Sequence, residues 1–208
     1  MLRILSGILV LGGLIVASWS AYNWWSESAS LPYEPTVVEQ IVKKIDDKTI
    51  QPTLKQGITS SKKFTRGERI GALMIPSLEI SRPIVQGQDD HSLKKGIGAY
   101  IEDNNPITKD HTVNPGDTGH VVLAGHRDTQ LKGIGKVKVG DKLVIDFEAH
   151  YFVYQIRKGW KTDPDDPNVI VTKDKPTLSL ITCYPFDYFG SAPYRYIWEA
   201  ELIAITNK

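Results

Sequence analysis

The segment Thr177-Leu-Ser-Leu-Ile-Thr-Cys183 is followed by Tyr184-Pro-Phe-Asp-Tyr-Phe-Gly190, so that a short apolar run passes into a polar and aromatic loop. A run of this length, bounded by turn residues, predicts a buried strand. Cys183, the only cysteine of the chain, stands where the strand ends. On a pleated strand it shares a face with Thr177 and Ser179. Such a thiol is either an inert small hydrophobe or an accessible nucleophile.

From about residue 66 onward, the chain contains further segments of the same kind, separated by Gly, Pro and Asp. The predicted strands are 71–75, 82–85, 120–124, 142–147, 152–157, 168–171, 177–182 and 196–205. Several of them alternate apolar and polar residues, as half-buried strands do. The pattern predicts an all-β domain over residues 66–208, a compact barrel of antiparallel or mixed strands with a short helix near 92–95.

The N-terminal segment is apolar. Residues 4–22 include no charged side chain. A helix of this length can cross about 30 Å of hydrocarbon. Trp19, Trp24 and Trp25 follow at its end, and Arg3 precedes it. This order predicts a membrane anchor over residues 1–25, with the N-terminus in the cytoplasm and the rest of the chain outside. The small residues near Ala17 also fit a cleaved signal peptide, and the length of the apolar stretch favours the anchor.

Residues 26–65 are predicted to be an extracellular linker, because they are rich in Ser, Pro, Lys and Thr. Within this linker, Val37, Ile41 and Ile45 recur at a spacing of four residues, with polar residues on the opposite side. This spacing predicts a short amphipathic helix. Its apolar face is expected to dock either on the folded domain or on the bilayer.

The overall composition excludes several classes of function. The formal charge is +1, from 25 basic and 24 acidic residues, so no strong field attracts nucleic acid. One cysteine excludes an intramolecular disulfide in an exported domain and points to a free thiol or an intermolecular pair. Histidine and cysteine residues do not show the spacing of a zinc site, and the glycine pairs lack the dinucleotide pattern. Neither a metal nor another cofactor is expected.

Two further residues complete a candidate active site. His126 follows the buried run 120–124 and a glycine, so its imidazole stands at a strand end as Cys183 does. It is either a base for the thiol or an ordinary loop histidine. Arg195 opens the last strand, where it can stabilise an oxyanion or form an ion pair with Glu199 or Glu201. Asp128 is a candidate to orient His126.

These motifs, Ser179-Leu-Ile-Thr-Cys183, Ala124-Gly-His126 and Arg195-Tyr-Ile-Trp-Glu-Ala-Glu-Leu202, stand in this order behind an N-terminal anchor and resemble those of the sortase family. The resemblance covers about residues 66–208 and is closest to class D, with class A as neighbour. It implies an eight-stranded sortase-like β-barrel and a transpeptidase at the outer face of the membrane of Gram-positive bacteria.

By that resemblance, Cys183 attacks the threonyl carbonyl of an LPxTG-like sorting signal, His126 protonates the departing amine, and Arg195 holds the substrate and the oxyanion. An amine of a cell-wall precursor then resolves the thioester. The resemblance also implies a substrate groove in the loops beside the last strands. Its expected residues are Thr182, Ile181, Val169, Ile170, Tyr184 and Tyr194.

Two other functions fit the same residues. A membrane-anchored cysteine hydrolase would use the same thiol and histidine and release the peptide to water. A barrel without enzymatic activity would bind a wall peptide and keep Cys183 buried. The first differs from a transpeptidase in its response to an added amine, and the second in the reactivity of the thiol.

Overall fold

The computed structural model describes residues 2–27, 31–46, 64–100, 112–187 and 190–208, and only the backbone of the helix ends 2–5, 23–27 and 44–46. Three α-helices, two single-turn 3-10 helices (Pro76–Leu78 and Ile134–Lys136) and eight strands make up the described fold. The α-helices are α1 (Leu2–Glu27), α2 (Pro35–Asp46) and α3 (Asp90–Lys95). The strands are β1 (Arg69–Ile75), β2 (Ile80–Gln86), β3 (Ile97–Ala99), β4 (His120–Ala124), β5 (Lys142–Phe147), β6 (His150–Thr162), β7 (Thr177–Tyr184) and β8 (Tyr194–Asn207).

The eight strands form a closed barrel in the order β1-β2-β3-β4-β7-β8-β6-β5. The pairs β2–β3 and β4–β7 are parallel, and the other pairs are antiparallel. Closure removes the free edges that an open sheet would expose. The predicted eight-stranded β-barrel with short helices is therefore confirmed.

The barrel interior follows from the alternation of apolar residues along its strands. Leu143, Ile145 and Phe147 of β5 point into one large core, as the alternating pattern predicts. Val144, which the same pattern places on the outer face, is nevertheless fully buried. The reason is α2, which covers that face.

Helix α2 packs on the outside of the barrel through its apolar face. Val38 and Ile41 lie against residues of β1, β5, β6 and β8. Just before the helix, the Leu31 backbone N–H donates to the Ser81 carbonyl at 3.2 Å. Of the two docking surfaces that the sequence left open, α2 thus contacts the barrel. The predicted linker is packed over 31–46, and its stretch 47–63 lies outside the described residues.

Replacing Ile41 by Ala is expected to loosen α2. Ile41 is 6 % exposed, and truncation of a buried isoleucine costs about 2–5 kcal/mol. Lys43→Ala, on the exposed side of the same helix, is the matched control. Hydrogen exchange of the α2 amides measures the effect. Equal exchange in the two variants would show that the contact does not stabilise the helix.

Helix α1 covers most of the predicted anchor. Its apolar side chains are exposed, among them Ile8, Leu11 and Ile15, each more than half accessible. Counting only the residues that the structure describes, no helix meets both the length and the hydropathy of a membrane span.

One strand prediction is wrong, and one strand was not predicted. Residues 168–171 do not form a strand but belong to the loop between β6 and β7. The short strand β3, which the sequence pattern does not reveal, takes its place in the barrel between β2 and β4. The predicted helix at 92–95 is confirmed as α3, which begins two residues earlier, at Asp90.

Candidate active site

Cys183 is the penultimate residue of β7. Its thiol is free and partly exposed, whereas Leu178 and Leu180 of the same strand are buried in the barrel core. The strand runs two residues further than predicted, to Tyr184. The thiol is therefore reachable from outside the barrel at the end of an otherwise buried strand.

Arg195 lies directly opposite Cys183. Strands β7 and β8 are antiparallel, with Cys183 paired to Arg195. Directly opposed residues of antiparallel strands have Cβ atoms about 4.5–5.5 Å apart on the same face. The guanidinium is partly buried, and its Nη1 donates to the Tyr194 carbonyl at 3.3 Å. Arg195 and Cys183 thus project from the same face of the sheet.

The carboxylates that could have paired with Arg195 have other partners. Glu199 binds Lys158 at 3.1 Å and Lys173 at 2.9 Å. Glu201 binds Arg157 at 3.0 Å. The ion-pair alternative for Arg195 is accordingly not seen.

His126 reaches the same edge of the barrel from β4. Strand β4 runs parallel to β7, and Ala124 is paired with Ile181. The Gly125 N–H continues the pairing by donating to the Ile181 carbonyl at 3.0 Å. Because parallel strands end at the same edge, His126 and Cys183 each stand two residues beyond that pair. His126 is partly exposed, as a proton-transfer group needs to be.

Thr182 supports the loop that carries His126. It is 3 % exposed, and its hydroxyl donates to the Gly125 carbonyl at 2.8 Å. The sequence had placed Thr182 among the substrate-binding residues. With its hydroxyl engaged inside the protein, any effect of Thr182 on the substrate would be transmitted through Gly125 and the neighbouring His126.

Three other predicted substrate residues come together in an apolar cluster, called here the outer cluster. Val169, Ile181, Ile197 and Val122 form its buried part, and Ile170, Trp160, Tyr100 and Ala124 pack around it. The cluster lies on the outer side of β4, β7 and β8. On β7, only Thr182 separates its member Ile181 from Cys183. The loop between β6 and β7 thus supplies an apolar wall beside the thiol.

That loop is fixed to the barrel by a buried histidine. His120 is fully buried, with Nδ1 at 2.8 Å from the Val171 carbonyl and Nε2 at 2.8 Å from Ser179 Oγ. Since a carbonyl only accepts, Nδ1 carries the proton, and in the neutral imidazole Nε2 accepts from the serine hydroxyl. The sequence did not single out this role, because the bonded residues are 51 and 59 positions away.

A second contact holds the same loop. Lys173 donates to Glu199 Oε2 at 2.9 Å, in the middle of β8. Burial by itself raises the pKa of Glu199, but hydrogen bonds from Lys173 and Lys158 outweigh it and leave the pKa below its usual value. Glu199 therefore stays ionised at neutral pH and keeps the loop attached.

The two predicted tyrosines lie next to Cys183 and Arg195 in the sequence. The Tyr184 ring lies 5.2 Å from that of Phe186 and 5.6 Å from that of Tyr196. The Lys161 ammonium stands 4.1 Å from the centre of the Tyr194 ring. Tyr184 thus ends β7 and Tyr194 begins β8, where the two residues are paired with each other.

A cavity of about 970 Å³ opens next to His126, between the segments that follow β4 and β7. Arg127, Asp128, Lys132, Lys136, Phe186 and Asp187 are among the residues that line it. Asp128 is exposed there, and its orienting role stays a prediction. Within the described part of the chain, no group of three or more His, Cys, Asp or Glu residues is arranged for a metal ion.

Comparison with known proteins adds to this geometry. Residues 73–203 match the model of the Sortase domain family. Sortase D of Bacillus subtilis (strain 168) is 31 % identical over 95 % of this chain and 96 % of its own length. The catalytic domain of B. anthracis SrtD is 42 % identical, with a TM-score of 0.58, over 73 % of this chain and 98 % of that one. Sortase E1 from Streptomyces coelicolor, solved with a tripeptide in the active site, is 25 % identical, with a TM-score of 0.59, over 70 % and 94 %.

Proposed function

This chain belongs to the sortase family and is a sortase-type cysteine transpeptidase, and from that premise we propose that Cys183, His126 and Arg195 act together on an LPxTG-like sorting signal. The observation that carries the proposal is the meeting of three residue types at one edge of the barrel. The Cys183 thiol lies there on β7, the Arg195 guanidinium on β8 and the His126 imidazole just after β4.

The first step is the attack of the Cys183 thiolate on the threonyl carbonyl of the signal. A carbon–sulfur bond forms, and the bond from the threonyl carbon to the following amide nitrogen breaks. His126, in its protonated form, gives its proton to the departing amine. The product of this step is a thioester between Cys183 and the threonyl group.

The second step consumes the thioester. The amine of a cell-wall precursor attacks the same carbonyl, neutral His126 accepts a proton from it, and the Cys183 thiolate leaves. In both steps negative charge develops on the carbonyl oxygen. Arg195 stabilises that charge because its donors already lie on the face of the sheet that carries the thiol.

The outer cluster is proposed to bind the apolar part of the signal. Leucine and proline side chains of an LPxTG-like peptide need an apolar wall, and Val169, Ile170 and Ile181 provide one next to Cys183 on the same sheet. His120 and the Lys173–Glu199 pair hold this wall in place before any peptide arrives. A preformed wall reduces the ordering cost of binding.

Replacing Val169 by Ala is expected to lower kcat/KM for the sorting peptide about tenfold, mainly through a higher KM, because a missing apolar contact weakens binding. Val139→Ala is the matched control, since Val139 is 61 % exposed and is not part of the outer cluster. Steady-state kinetics at varied peptide concentration separate the two constants. An unchanged KM in Val169→Ala would remove the outer cluster from the peptide site.

Helix α1 is proposed to anchor the protein in the cell membrane as a single span with its N-terminus in the cytoplasm. The uncharged run 4–22 and the exposed apolar side chains of the helix support this, because lipid would cover them. The linker and the barrel would then lie outside the cell, near the wall precursor. Protease treatment of intact cells tests the orientation: digestion of the barrel without lysis is expected, and full protection would contradict it.

The full chain in detergent, mixed with an LPxTG-like peptide and a short amine acceptor, tests the function. A transpeptidase forms the new peptide–amine product, and the yield rises with amine concentration at the expense of hydrolysis. A hydrolase would release the peptide acid at a rate and yield that do not depend on the amine. A barrel that only binds would give neither product.

A further inference from the structure

Arg127, the residue that follows the candidate acid–base histidine, is buried. Only 8 % of it is exposed, although arginine usually keeps its charge in water. A buried guanidinium needs hydrogen-bond acceptors, and Arg127 finds two of them in the backbone of the segment that follows β7. Nη1 donates to the Pro185 carbonyl at 3.0 Å, and Nη2 donates to the Gly190 carbonyl at 2.6 Å.

Both carbonyls belong to the segment that joins β7 to β8. Pro185 comes two residues after Cys183, and Gly190 comes five residues before Arg195. The Arg127 side chain therefore crosses from the segment after β4 to the segment after β7. One guanidinium connects the backbone on which His126 stands to the backbone that joins the thiol to Arg195.

A second cross-connection lies on the other side of His126. The Gly125 N–H donates to Ile181, and the Gly125 carbonyl accepts from Thr182. His126 thus lies between Gly125 and Arg127, and both of these neighbours are hydrogen-bonded to the segment that carries Cys183. On the Cys183 side, the bonded residues Thr182 and Pro185 likewise flank the thiol.

We propose that Arg127 is a positioning residue for the transpeptidase reaction. By donating to the Pro185 and Gly190 carbonyls, it sets the position of His126 relative to Cys183. This inference rests on the proposed roles of Cys183 and His126. The planar guanidinium suits it, because its two Nη groups donate in fixed and diverging directions, which a single ammonium cannot reproduce. A displacement of about 1 Å between reacting groups can cost about a hundredfold in rate.

The variant that tests this is Arg127→Gln in the full chain. It is compared with Lys136→Gln, which removes one positive charge from the lining of the same cavity, where Asp128, Asp187 and Lys132 also lie. Two quantities are measured: kcat/KM for the sorting peptide, and the rate at which iodoacetamide alkylates Cys183 as a function of pH. The alkylation rate reports the thiol in its surroundings and requires neither peptide nor acceptor amine.

Arg127→Gln is expected to lower kcat/KM about 10–100-fold and to change the pH profile of alkylation, while Lys136→Gln keeps the wild-type profile. Arg127→Lys, which can reach one carbonyl, is expected to give an intermediate profile. The proposal is overturned if Arg127→Gln loses activity but keeps the wild-type alkylation profile. It is also overturned if the variant keeps both the wild-type activity and the wild-type profile. If Arg127→Gln does not fold, Arg127→Lys decides: a wild-type profile there overturns the proposal.

Failure of this inference is separable from failure of the proposed function. Retained transpeptidation in a Cys183 variant would refute the assigned nucleophile whatever Arg127 does. An unchanged alkylation profile in Arg127→Gln, together with a dead Cys183 variant, would leave the function standing and remove only the positioning role.

Discussion

Replacing Cys183 by Ala abolishes transpeptidation: the expected fall in the cleavage rate of an LPxTG-like peptide is about 10⁴–10⁶-fold, the range for loss of a catalytic nucleophile. No thioester can form without the sulfur, so neither the amine product nor the hydrolysis product is made. Mass spectrometry of the intact protein after mixing with peptide provides a second measurement. The acyl adduct is expected on the wild type and absent from Cys183→Ala.

The loss must come from chemistry and not from unfolding. Cys183 is partly exposed at the end of β7, so truncation to Ala leaves little cavity, and the thermal midpoint is expected to stay close to that of the wild type. Binding of the peptide should also persist, since the outer cluster is unaltered. Equal cleavage by both proteins would dismiss Cys183 as the nucleophile. Equal binding with no cleavage by either would favour a barrel that only binds.

Much of the fold could be predicted from the period of the apolar residues. In β7, Leu178 and Leu180 point into the core and Ile181 packs in the outer cluster, as a strand near the active edge requires. The position of Cys183 at the end of that strand, and of His126 after β4, is visible in the sequence because each buried run ends at a recognisable place. Those two expectations about position agree with the structure.

The strand errors have local physical causes. Residues 168–171 include three consecutive β-branched side chains and have the composition of a strand. However, the Val171 carbonyl is bonded to His120, and the Val169 N–H donates to Asp166, so this backbone is not bonded to a neighbouring strand there. Conversely, β3 is hidden because it has three residues, one of them Gly98. A Cβ on Gly98 would stand 2.5 Å from the Gly87 carbonyl oxygen, so only glycine fits.

The supports of the site could not be predicted at all. Arg127 and His120 are polar residues in a sequence pattern that does not reveal their burial. Their acceptors lie between 51 and 63 residues further along the chain. Contacts of this kind depend on how the barrel closes, since parallel pairing of β4 with β7 brings these segments together. The residues proposed to react are therefore predictable from local patterns, whereas those proposed to position them require the three-dimensional structure.

Replacing Arg195 by Lys is expected to lower kcat about 10²–10³-fold, the usual effect of removing one oxyanion donor. The charge is kept, so the experiment isolates the geometry of the donors. Arg195 has donors on the face of the sheet shared with Cys183, and a lysine ammonium is a mobile point charge that cannot hold a carbonyl oxygen and the peptide backbone at once. KM is expected to change far less than kcat, because the interaction strengthens only as charge develops on the oxygen.

Arg157→Lys provides the matched control for Arg195→Lys. Arg157 lies on β6, and its exposed guanidinium pairs with Glu201 at 3.0 Å, so the same substitution there is expected to leave both constants unchanged. The alkylation rate of Cys183 separates two explanations of a loss in Arg195→Lys. A wild-type alkylation rate with a depressed kcat places the defect in stabilising the oxyanion. Near-normal turnover in Arg195→Lys would refute that role, because an ammonium would then suffice where the structure presents a fork of donors.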